Sequence, residues 1–199
     1  MDPLTIELAP TLILSDRQFA DICEHNRDIR FELTATGALI AMPPTGGDTG
    51  RRNTSLCGQL WDWNRRKKLG YAFDSSTAFK LPNGAIRSPD ASWVARDRWM
   101  ALTAEERQSF PPLCPDFVVE LRSASDSLKP LQDKMQEYGD NGCRLGWLLD
   151  IQGQRVEVYR PGQGIDVISF DLETRQNLIL SGDTVLPGFR LDLEDLLLV

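Results

Sequence analysis

Three charged residues stand in segments that otherwise have the composition of a protein core. Glu120 interrupts the apolar segment Phe117–Leu121, and Lys134 takes one position of a helical apolar stripe. Asp90 follows Pro89 directly before a second strand-like segment. An unpaired carboxylate in a dry core would cost several kcal/mol, about the penalty for an uncompensated buried ion. Glu120 therefore has either a solvated face or a partner, such as a metal ion or a cation.

Two carboxylates and a lysine are groups that metal-assisted hydrolysis of a phosphodiester can use. Carboxylates bind a hard divalent cation such as Mg²⁺ and leave positions for water and a phosphate oxygen. The cation lowers the pKa of its bound water. A lysine can orient the attacking water or neutralise charge that develops on phosphorus. Spacing alone is a weak signal, because a chain of this length contains many such triplets.

Each of these residues also has an ordinary structural explanation. Glu120 and Arg122 could be solvated charges on the wet face of an edge strand, and the Lys134 ammonium could reach water past its packed stem. Asp90 could be a turn residue at the start of a strand. Asp116 forms a second Pro-Asp pair, but it lies on the Glu120 segment itself. We prefer Asp90, because a neighbouring strand can bring its carboxylate beside that of Glu120.

Composition limits the class of protein. The chain has 199 residues, 41% of them hydrophobic, which suits one domain spanning 1–199 with an ordinary core. No apolar run approaches the roughly 20 residues that span a bilayer, and residues 1–10 lack a signal-peptide pattern, so we expect a cytoplasmic protein. His25 is the single histidine, which excludes a multi-histidine metal site. The four cysteines contain no C-x-x-C pair, which favours reduced thiols.

The net charge of −7 weighs against a dedicated nucleic-acid coat protein, whose domains are usually basic. It does not exclude an enzyme with a local basic patch or a bound cation. Acidic residues around a metal would themselves add to the negative count.

Hydrophobic periodicity and turn residues predict an α/β fold, a mixed β-sheet flanked by helices. The predicted helices span 15–28, about 49–68, 95–110, about 130–138 and a short closing segment within 191–199. The predicted strands span 30–33, 38–42, 71–73, 78–81, 92–94, 117–121, 146–150 and 155–159, with further strands near 166–170 and 177–180.

Local signals support several of these helices. Leu56, Leu60 and Trp63 recur at helical spacing, which indicates one core-facing stripe. Thr103 and the glutamate three residues later form a capping box inside the 95–110 helix. Pro130 fits the first position of its helix, where the missing N–H costs nothing.

The pattern of these segments resembles the Uma-two family of endonucleases, within the PD-(D/E)XK, or restriction-endonuclease-like, superfamily. The most specific part is 115–150, with Pro-Asp-Phe-Val-Val-Glu-Leu-Arg-Ser at 115–123, then Lys134, Tyr138, Gly142 and Leu-Gly-Trp-Leu-Leu-Asp at 145–150. Ser-Pro-Asp at 88–90, Arg-Phe-Glu-Leu at 30–33 with Gly37, and 75–84 also fit. The resemblance spans about 30–159.

The resemblance implies a restriction-endonuclease-like fold and magnesium-dependent cleavage of DNA, with Mn²⁺ as a substitute for Mg²⁺. Asp90 matches the acid of the PD element, and Glu120 matches the acid of the (D/E)XK element. Both would bind the metal, and Leu121 could add its backbone carbonyl. Glu32 is a candidate for an additional catalytic acid, because it interrupts a strand of the predicted hairpin much as Glu120 interrupts its own.

One departure from the motif concerns the lysine. Arg122 stands where the motif has lysine, and an arginine stays protonated, so it cannot act as a general base. Some superfamily members supply the lysine from the following helix, and Lys134 fits that role. The alternative is a catalytically silent nuclease fold that binds nucleic acid or a protein. For an active enzyme the partner would be DNA, and a homodimer would allow double-strand cutting.

Overall fold

The structure is a computed structural model that describes residues 3–182 and 184–197. In these residues the chain forms six helices and thirteen strands. The helices are α1 (Asp16–His25), α2 (Gly47–Lys67), α3 (Arg96–Met100), α4 (Ala104–Gln108), α5 (Leu128–Asp140) and α6 (Leu193–Leu197). None of them combines the length and apolar character needed to cross a membrane.

The strands are shared among three sheets. They are β1 (Leu4–Ile6), β2 (Arg30–Leu33), β3 (Leu39–Met42), β4 (Gly70–Asp74), β5 (Phe79–Lys80), β6 (Ile86–Arg87), β7 (Ala91–Ala95), β8 (Phe117–Leu121), β9 (Leu145–Asp150), β10 (Arg155–Tyr159), β11 (Asp166–Ser169), β12 (Ile179–Ser181) and β13 (Arg190–Asp192).

The largest sheet has six strands in the order β11-β10-β9-β8-β7-β4. Strands β8 and β9 are parallel and joined through α5, while the other neighbours are antiparallel, so the sheet is mixed. A five-stranded sheet has the order β1-β3-β2-β6-β5, and β12 pairs with β13. The predicted α/β class with a helix-flanked mixed sheet is confirmed.

Helices cover both faces of the six-stranded sheet. Leu56, Leu60 and Trp63 of α2 are buried in the core against one face, as their spacing predicts. On the other face, Met135 and Tyr138 of α5 pack against the same strands. Because strand side chains alternate between faces, the side chain of Glu120 lies on the α5 face with its neighbour two positions before, while the residues on either side of it face α2.

The two large sheets are connected at the point where the candidate residues lie. The chain leaves β6 in the five-stranded sheet at Arg87, passes through 88–90, and enters β7 in the six-stranded sheet at Ala91. Ala91 is opposite Val119 of β8. Antiparallel pairing therefore brings the end of this connection beside the last residues of β8.

A glycine lets α5 pack closely on the sheet. A Cβ atom at Gly146 of β9 would lie 2.5 Å from the terminal methyl carbon of Met135. With hydrogen in its place, the buried face of α5 approaches the strands. The same face of the helix carries Lys134.

Two helix predictions need correction. The helix predicted at 95–110 is two helices, α3 and α4, because the Thr103 capping box starts a new helix instead of lying within one. The Thr103 side-chain oxygen accepts a hydrogen bond from the Glu106 amide. The second correction concerns Pro130, which occupies the third position of α5, not the first, because the helix begins at Leu128. The first four N–H groups of a helix have no intrahelical acceptor, so proline fits there too.

Short strands escaped the sequence prediction. β1 has three residues and β6 has two, too few for a periodic pattern. The closing segment predicted within 191–199 is a strand end followed by the short helix α6; its residues 198–199 lie outside the described part of the chain. All four cysteines are free thiols.

Candidate active site

Lys134 lies at the centre of a buried group of charges. Its ammonium nitrogen is 2.9 Å from Glu120 Oε1 and 2.7 Å from Glu32 Oε1, and it donates to the Ser88 carbonyl oxygen at 3.3 Å. The side chain is only 9% exposed, so an ammonium that reaches open water is the wrong explanation. Burial would lower the pKa of Lys134, but the charges on Glu120 and Glu32 outweigh burial and raise it. Lys134 is therefore a permanent cation and hydrogen-bond donor.

Glu32 reaches this group from the five-stranded sheet, and both of its oxygens are occupied. Oε1 accepts from Lys134 and from the Ser88 amide at 2.9 Å, while Oε2 accepts from Arg87 at 3.1 Å. Burial alone would raise the pKa of Glu32, but the positive charges of Lys134 and Arg87 outweigh it and hold that pKa below its usual value. Glu32 is thus a carboxylate that anchors Lys134.

Glu120 is buried on an interior strand. It is 4% exposed, and β8 lies between β7 and β9, so the wet edge strand considered from the sequence is wrong. Its Oε1 accepts from the Tyr138 hydroxyl at 3.1 Å and contacts Lys134. Burial raises the pKa of Glu120 to about 8, opposed by Lys134 and reinforced by the negative charges of Asp90 and Glu32.

Asp90 lies beside the end of the Glu120 strand and is partly exposed. Its Oδ2 accepts a hydrogen bond of 2.8 Å from the backbone N–H of Leu121. Burial raises the pKa of Asp90, and the Leu121 amide and the Lys134 charge offset this only in part. The structure thus brings together all four predicted side chains, Glu32, Asp90, Glu120 and Lys134, which we call the Lys134 cluster.

Arg122, at the motif's lysine position, belongs to a different set of contacts. Its Nη1 donates to Asp150 Oδ1 at 2.9 Å, and its Nε donates to the Asp126 carbonyl oxygen at 3.0 Å. The arginine therefore holds the end of β9 and the loop before α5. Lys134 is the cation that contacts Glu120, so the lysine of this cluster comes from the helix.

Asp116 and His25, which the sequence analysis did not place in the site, lie away from the Lys134 cluster. Asp116 is buried before β8, at the opposite end from Glu120, where its carboxylate accepts from the Ala95 amide and pairs with Arg98 at 3.0 Å. His25 is exposed at the end of α1, where Nδ1 contacts the Asp21 carbonyl oxygen.

The donor atoms of the Lys134 cluster fit a hard divalent cation. Contacts from the described residues fall on one oxygen of Asp90, Oδ2, and one oxygen of Glu120, Oε1. The second oxygen of each carboxylate is the type of ligand that Mg²⁺ prefers. No group of three His, Cys, Asp or Glu side chains in the described residues is arranged to hold a metal by itself. A cation at this position would complete its shell with water, backbone carbonyl and substrate oxygens, which is common for Mg²⁺.

Sequence reasoning missed part of this arrangement. Arg87 pairs with Glu32 and Glu137, and Ser88 contributes both an amide and a carbonyl group. Both stand in or next to the two-residue strand β6. Tyr138 is buried on the apolar face of α5, and its hydroxyl donates to Glu120. Its position one turn after Lys134 was the available signal.

The fold defined by these sheets and helices is shared with a protein of known structure. The chain matches a solved structure titled as a "putative nuclease belonging to DUF820" from Anabaena variabilis, with a TM-score of 0.74 and 18% sequence identity. The match covers 92% of this chain and 97% of the other. At this identity the likeness shows a shared fold. No curated protein matches the chain.

A family model identifies the group within that fold. The Uma2 model, described as "Putative restriction endonuclease", matches residues 16–194. The chain belongs to the Uma2 family, which confirms the resemblance drawn from the sequence. All four members of the Lys134 cluster lie within the matched residues.

Proposed function

We propose that this protein is a Mg²⁺-dependent endonuclease that hydrolyses phosphodiester bonds of DNA, and that Mn²⁺ can replace Mg²⁺. The observation that carries the proposal is the contact of 2.9 Å between the Lys134 ammonium and Glu120, beside Asp90. Membership in a family described as restriction endonucleases supports DNA as the substrate.

Asp90 and Glu120 hold the cation in this proposal, and the Leu121 carbonyl is a third candidate ligand. When bound, the cation would lower the pKa of a water molecule and polarise the phosphate. Lys134 stays protonated between its two glutamates, so it acts as a charge and a donor, not as a base. It orients the attacking water or stabilises negative charge on the phosphate oxygens.

Glu32 acts on the reaction through Lys134. Because Lys134, Arg87 and the Ser88 amide already occupy its oxygens, we assign it a positioning role. It fixes the ammonium at the point where that group also meets Glu120. Arg87 binds the other oxygen of Glu32 and helps to keep the carboxylate ionised.

Cleavage of plasmid DNA with MgCl₂ or MnCl₂ tests the activity. Glu120→Gln keeps the shape of the side chain and is expected to abolish cleavage. Lys134→Met is expected to lower the rate about 10²–10³-fold, the effect of losing one electrostatic contact in a transition state. Lys129→Met is the matched control, because Lys129 lies on the same helix with a 75% exposed side chain. Cleavage that persists unchanged in Glu120→Gln would contradict the proposal.

Metal binding gives a readout that does not depend on turnover. Calorimetric titration with MnCl₂ is expected to give one binding isotherm for the wild type and none for Asp90→Asn or Glu120→Gln. Metal binding without cleavage would contradict the enzyme and favour the alternative, a catalytically silent nuclease fold that binds nucleic acid or a protein. Isotherms of equal affinity in all three proteins would exclude these two carboxylates as ligands.

A further inference from the structure

A cleft opens beside the Lys134 cluster on the side of Asp90. Its volume is about 300 Å³, at the small end of the range for ligand sites. The loop after β3 and the first turns of α2 form its walls, together with Arg30, Ser75 and Asp90. A ligand in this cleft would therefore touch one of the two proposed metal ligands.

Three side chains from separate elements form one connected polar wall of the cleft. Arg30 begins β2 and donates from Nη1 to the Ser75 carbonyl oxygen at 2.9 Å. Asn53 of α2 donates from Nδ2 to the Ser75 hydroxyl at 3.3 Å. Ser75 thus holds the guanidinium and the amide in fixed positions on the same wall.

The Asn53 side chain has an unused polar atom. Its Oδ1 is buried and, among the described residues, has no hydrogen-bond partner. Because the two ends of an amide are assigned from the hydrogen-bond pattern, the unpartnered atom can also be the NH₂ group, with the oxygen accepting from Ser75. In the second orientation, the buried NH₂ group without a partner carries a desolvation penalty that an acceptor in the cleft would remove.

The beginning of α2 adds further donors. Gly46, the N-cap residue, makes no side-chain capping bond, and Thr49 in the first turn lines the cleft. The amide of the next residue, Gly50, already donates to the Gly46 carbonyl oxygen. The first N–H groups of a helix lack intrahelical acceptors and attract anions. Pro43 and Pro44 also line the cleft, and they are apolar surfaces suited to a sugar or a base.

We infer that this cleft binds one phosphate of the DNA strand next to the bond to be cut, with Arg30 and Asn53 as its ligands. The inference rests on the proposed function for its substrate. Arg30 supplies the charge and two-pronged donors suited to a phosphate, and Asn53 supplies an amide donor. With Asp28 and Asp90 also in the lining, the cleft suits one phosphate next to a metal ion, not a polyphosphate.

Binding of a short fluorescent DNA duplex in MgCl₂ tests the inference. All variants are made in the Glu120→Gln protein, so the duplex stays intact and the measurement does not depend on turnover. Because this protein is expected to bind no metal at the Lys134 cluster, the affinity reports the cleft itself. Arg30→Gln is expected to weaken binding about tenfold and to lower the slope of log affinity against log salt by about 1. Asn53→Asp keeps the side-chain shape, adds a negative charge and is expected to weaken binding to a similar degree.

Arg27→Gln is the matched control, because Arg27 is an exposed arginine three residues before Arg30, and its guanidinium pairs with Glu24 on the surface. It removes the same charge outside the cleft and is expected to leave affinity nearly unchanged. Affinities for Arg30→Gln and Asn53→Asp equal to that of Arg27→Gln would overturn the inference, as would a parent protein that binds no duplex. Loss of binding with a wild type that never cleaves would support the cleft and contradict only the nuclease.

Discussion

Two buried groups of charges lie on the same face of the six-stranded sheet. One is the Lys134 cluster, and the other, which we call the Asp150 cluster, consists of Arg122, Asp150, Arg155 and Glu157. Glu120 is opposite Leu148, and Leu148 is opposite Glu157, so the two glutamates lie in one row across three strands. Paired residues on adjacent strands point to the same face, and the buried Leu148 side chain separates the clusters.

The Asp150 cluster is balanced, with two carboxylates and two guanidinium groups. Asp150 contacts Arg122 at 2.9 Å and Arg155 at 3.2 Å, one on each oxygen. Glu157 accepts from Gln132 through both oxygens and from the Tyr159 hydroxyl at 2.8 Å. These contacts join the ends of three neighbouring strands to α5, which is a structural role.

The Lys134 cluster is acidic in excess. Three carboxylates share the charge of Lys134, and Arg87 divides its charge between Glu32 and Glu137. The raised pKa values of Asp90 and Glu120 follow from their burial in this group. Glu120, Asp150 and Glu157 are all buried on the same face of the sheet, so a buried carboxylate alone does not identify a site. The Lys134 cluster differs in its excess of negative charge, which a bound cation would neutralise.

Among the substitutions that compare the two clusters, the largest expected effect comes from moving the lysine from position 134 to position 122. Lys134→Met is expected to lower the cleavage rate about 10²–10³-fold. The double variant Lys134→Met with Arg122→Lys is expected to cleave no faster than Lys134→Met alone. A lysine at position 122 would lie where Arg122 now contacts Asp150. It would therefore pair with Asp150 and not with Glu120. Single-turnover cleavage rates at saturating protein measure this.

The single variant Arg122→Lys is the control for that experiment, and we expect it to cleave DNA as the wild type does. Recovery of the rate in the double variant would mean that a lysine on the strand can serve the site. The two clusters would then be interchangeable, and the comparison would fail.

Loss of charge in the Asp150 cluster is expected to destabilise the fold. Asp150→Asn leaves Arg122 and Arg155 without their shared partner. Removing one member of a fully buried ion pair costs about 3–5 kcal/mol. The two arginine side chains are 20% and 35% exposed, so water offsets part of the loss and we expect about 2 kcal/mol. Urea unfolding in EDTA measures the change, and an unchanged free energy of unfolding would contradict the structural role.

The same kind of substitution in the Lys134 cluster is expected to act in the opposite direction. Glu120→Gln removes an uncompensated charge and keeps the shape, so in EDTA at pH 8 we expect the free energy of unfolding to rise by about 1 kcal/mol. The Lys134 ammonium keeps Glu32 as its partner. A destabilised Glu120→Gln variant would show that the ion pair with Lys134 outweighs the crowding of acids.

The pH dependence of that difference has a definite sign. The pKa of Glu120 is about 8 in the folded protein and about 4.3 when unfolded, so the folded state binds the extra proton between these values. The free energy of unfolding of the metal-free wild type should therefore fall as pH rises from about 4.3 to about 8. Because Glu120→Gln lacks this titration, its curve should fall less, and the two curves should diverge as pH increases.

Local patterns in the sequence predicted the elements better than the contacts between sheets. The stripe of α5 contains Lys134 at a position that must face the preceding strand, so its approach to Glu120 could be predicted from spacing. The contact between Lys134 and Glu32 joins residues 102 positions apart. It depends on how the five-stranded sheet meets α5, which no local pattern specifies.

Short elements account for the rest of what could not be predicted. Arg87 holds Glu32 from β6, and two residues are too few to show alternation. The role of Arg122 also required the structure, because Asp150 lies on a strand reached only after a whole helix. The sequence alone identifies no partner for either residue.

The smallest expected effects come from two tyrosines that make the same contact in different clusters. Tyr138 donates to Glu120 at 3.1 Å, and Tyr159 donates to Glu157 at 2.8 Å. Phenylalanine removes one hydroxyl in each case and leaves the ring in place, which costs about 1 kcal/mol when the acceptor is buried. In the balanced cluster, Tyr159→Phe should lower stability by this amount and leave cleavage unchanged.

In the Lys134 cluster, Tyr138→Phe should change cleavage more than stability. Glu120 keeps Lys134 as a partner, but it loses the donor that fixes its Oε1, so its second oxygen is held less firmly toward the proposed metal position. We expect the MnCl₂ affinity and the cleavage rate to fall together by about threefold to tenfold, the equivalent of about 1 kcal/mol. Parallel calorimetry, cleavage and urea unfolding on both variants test this. Equal effects of the two substitutions on cleavage would mean that the rate depends on the general packing of α5, not on the orientation of Glu120.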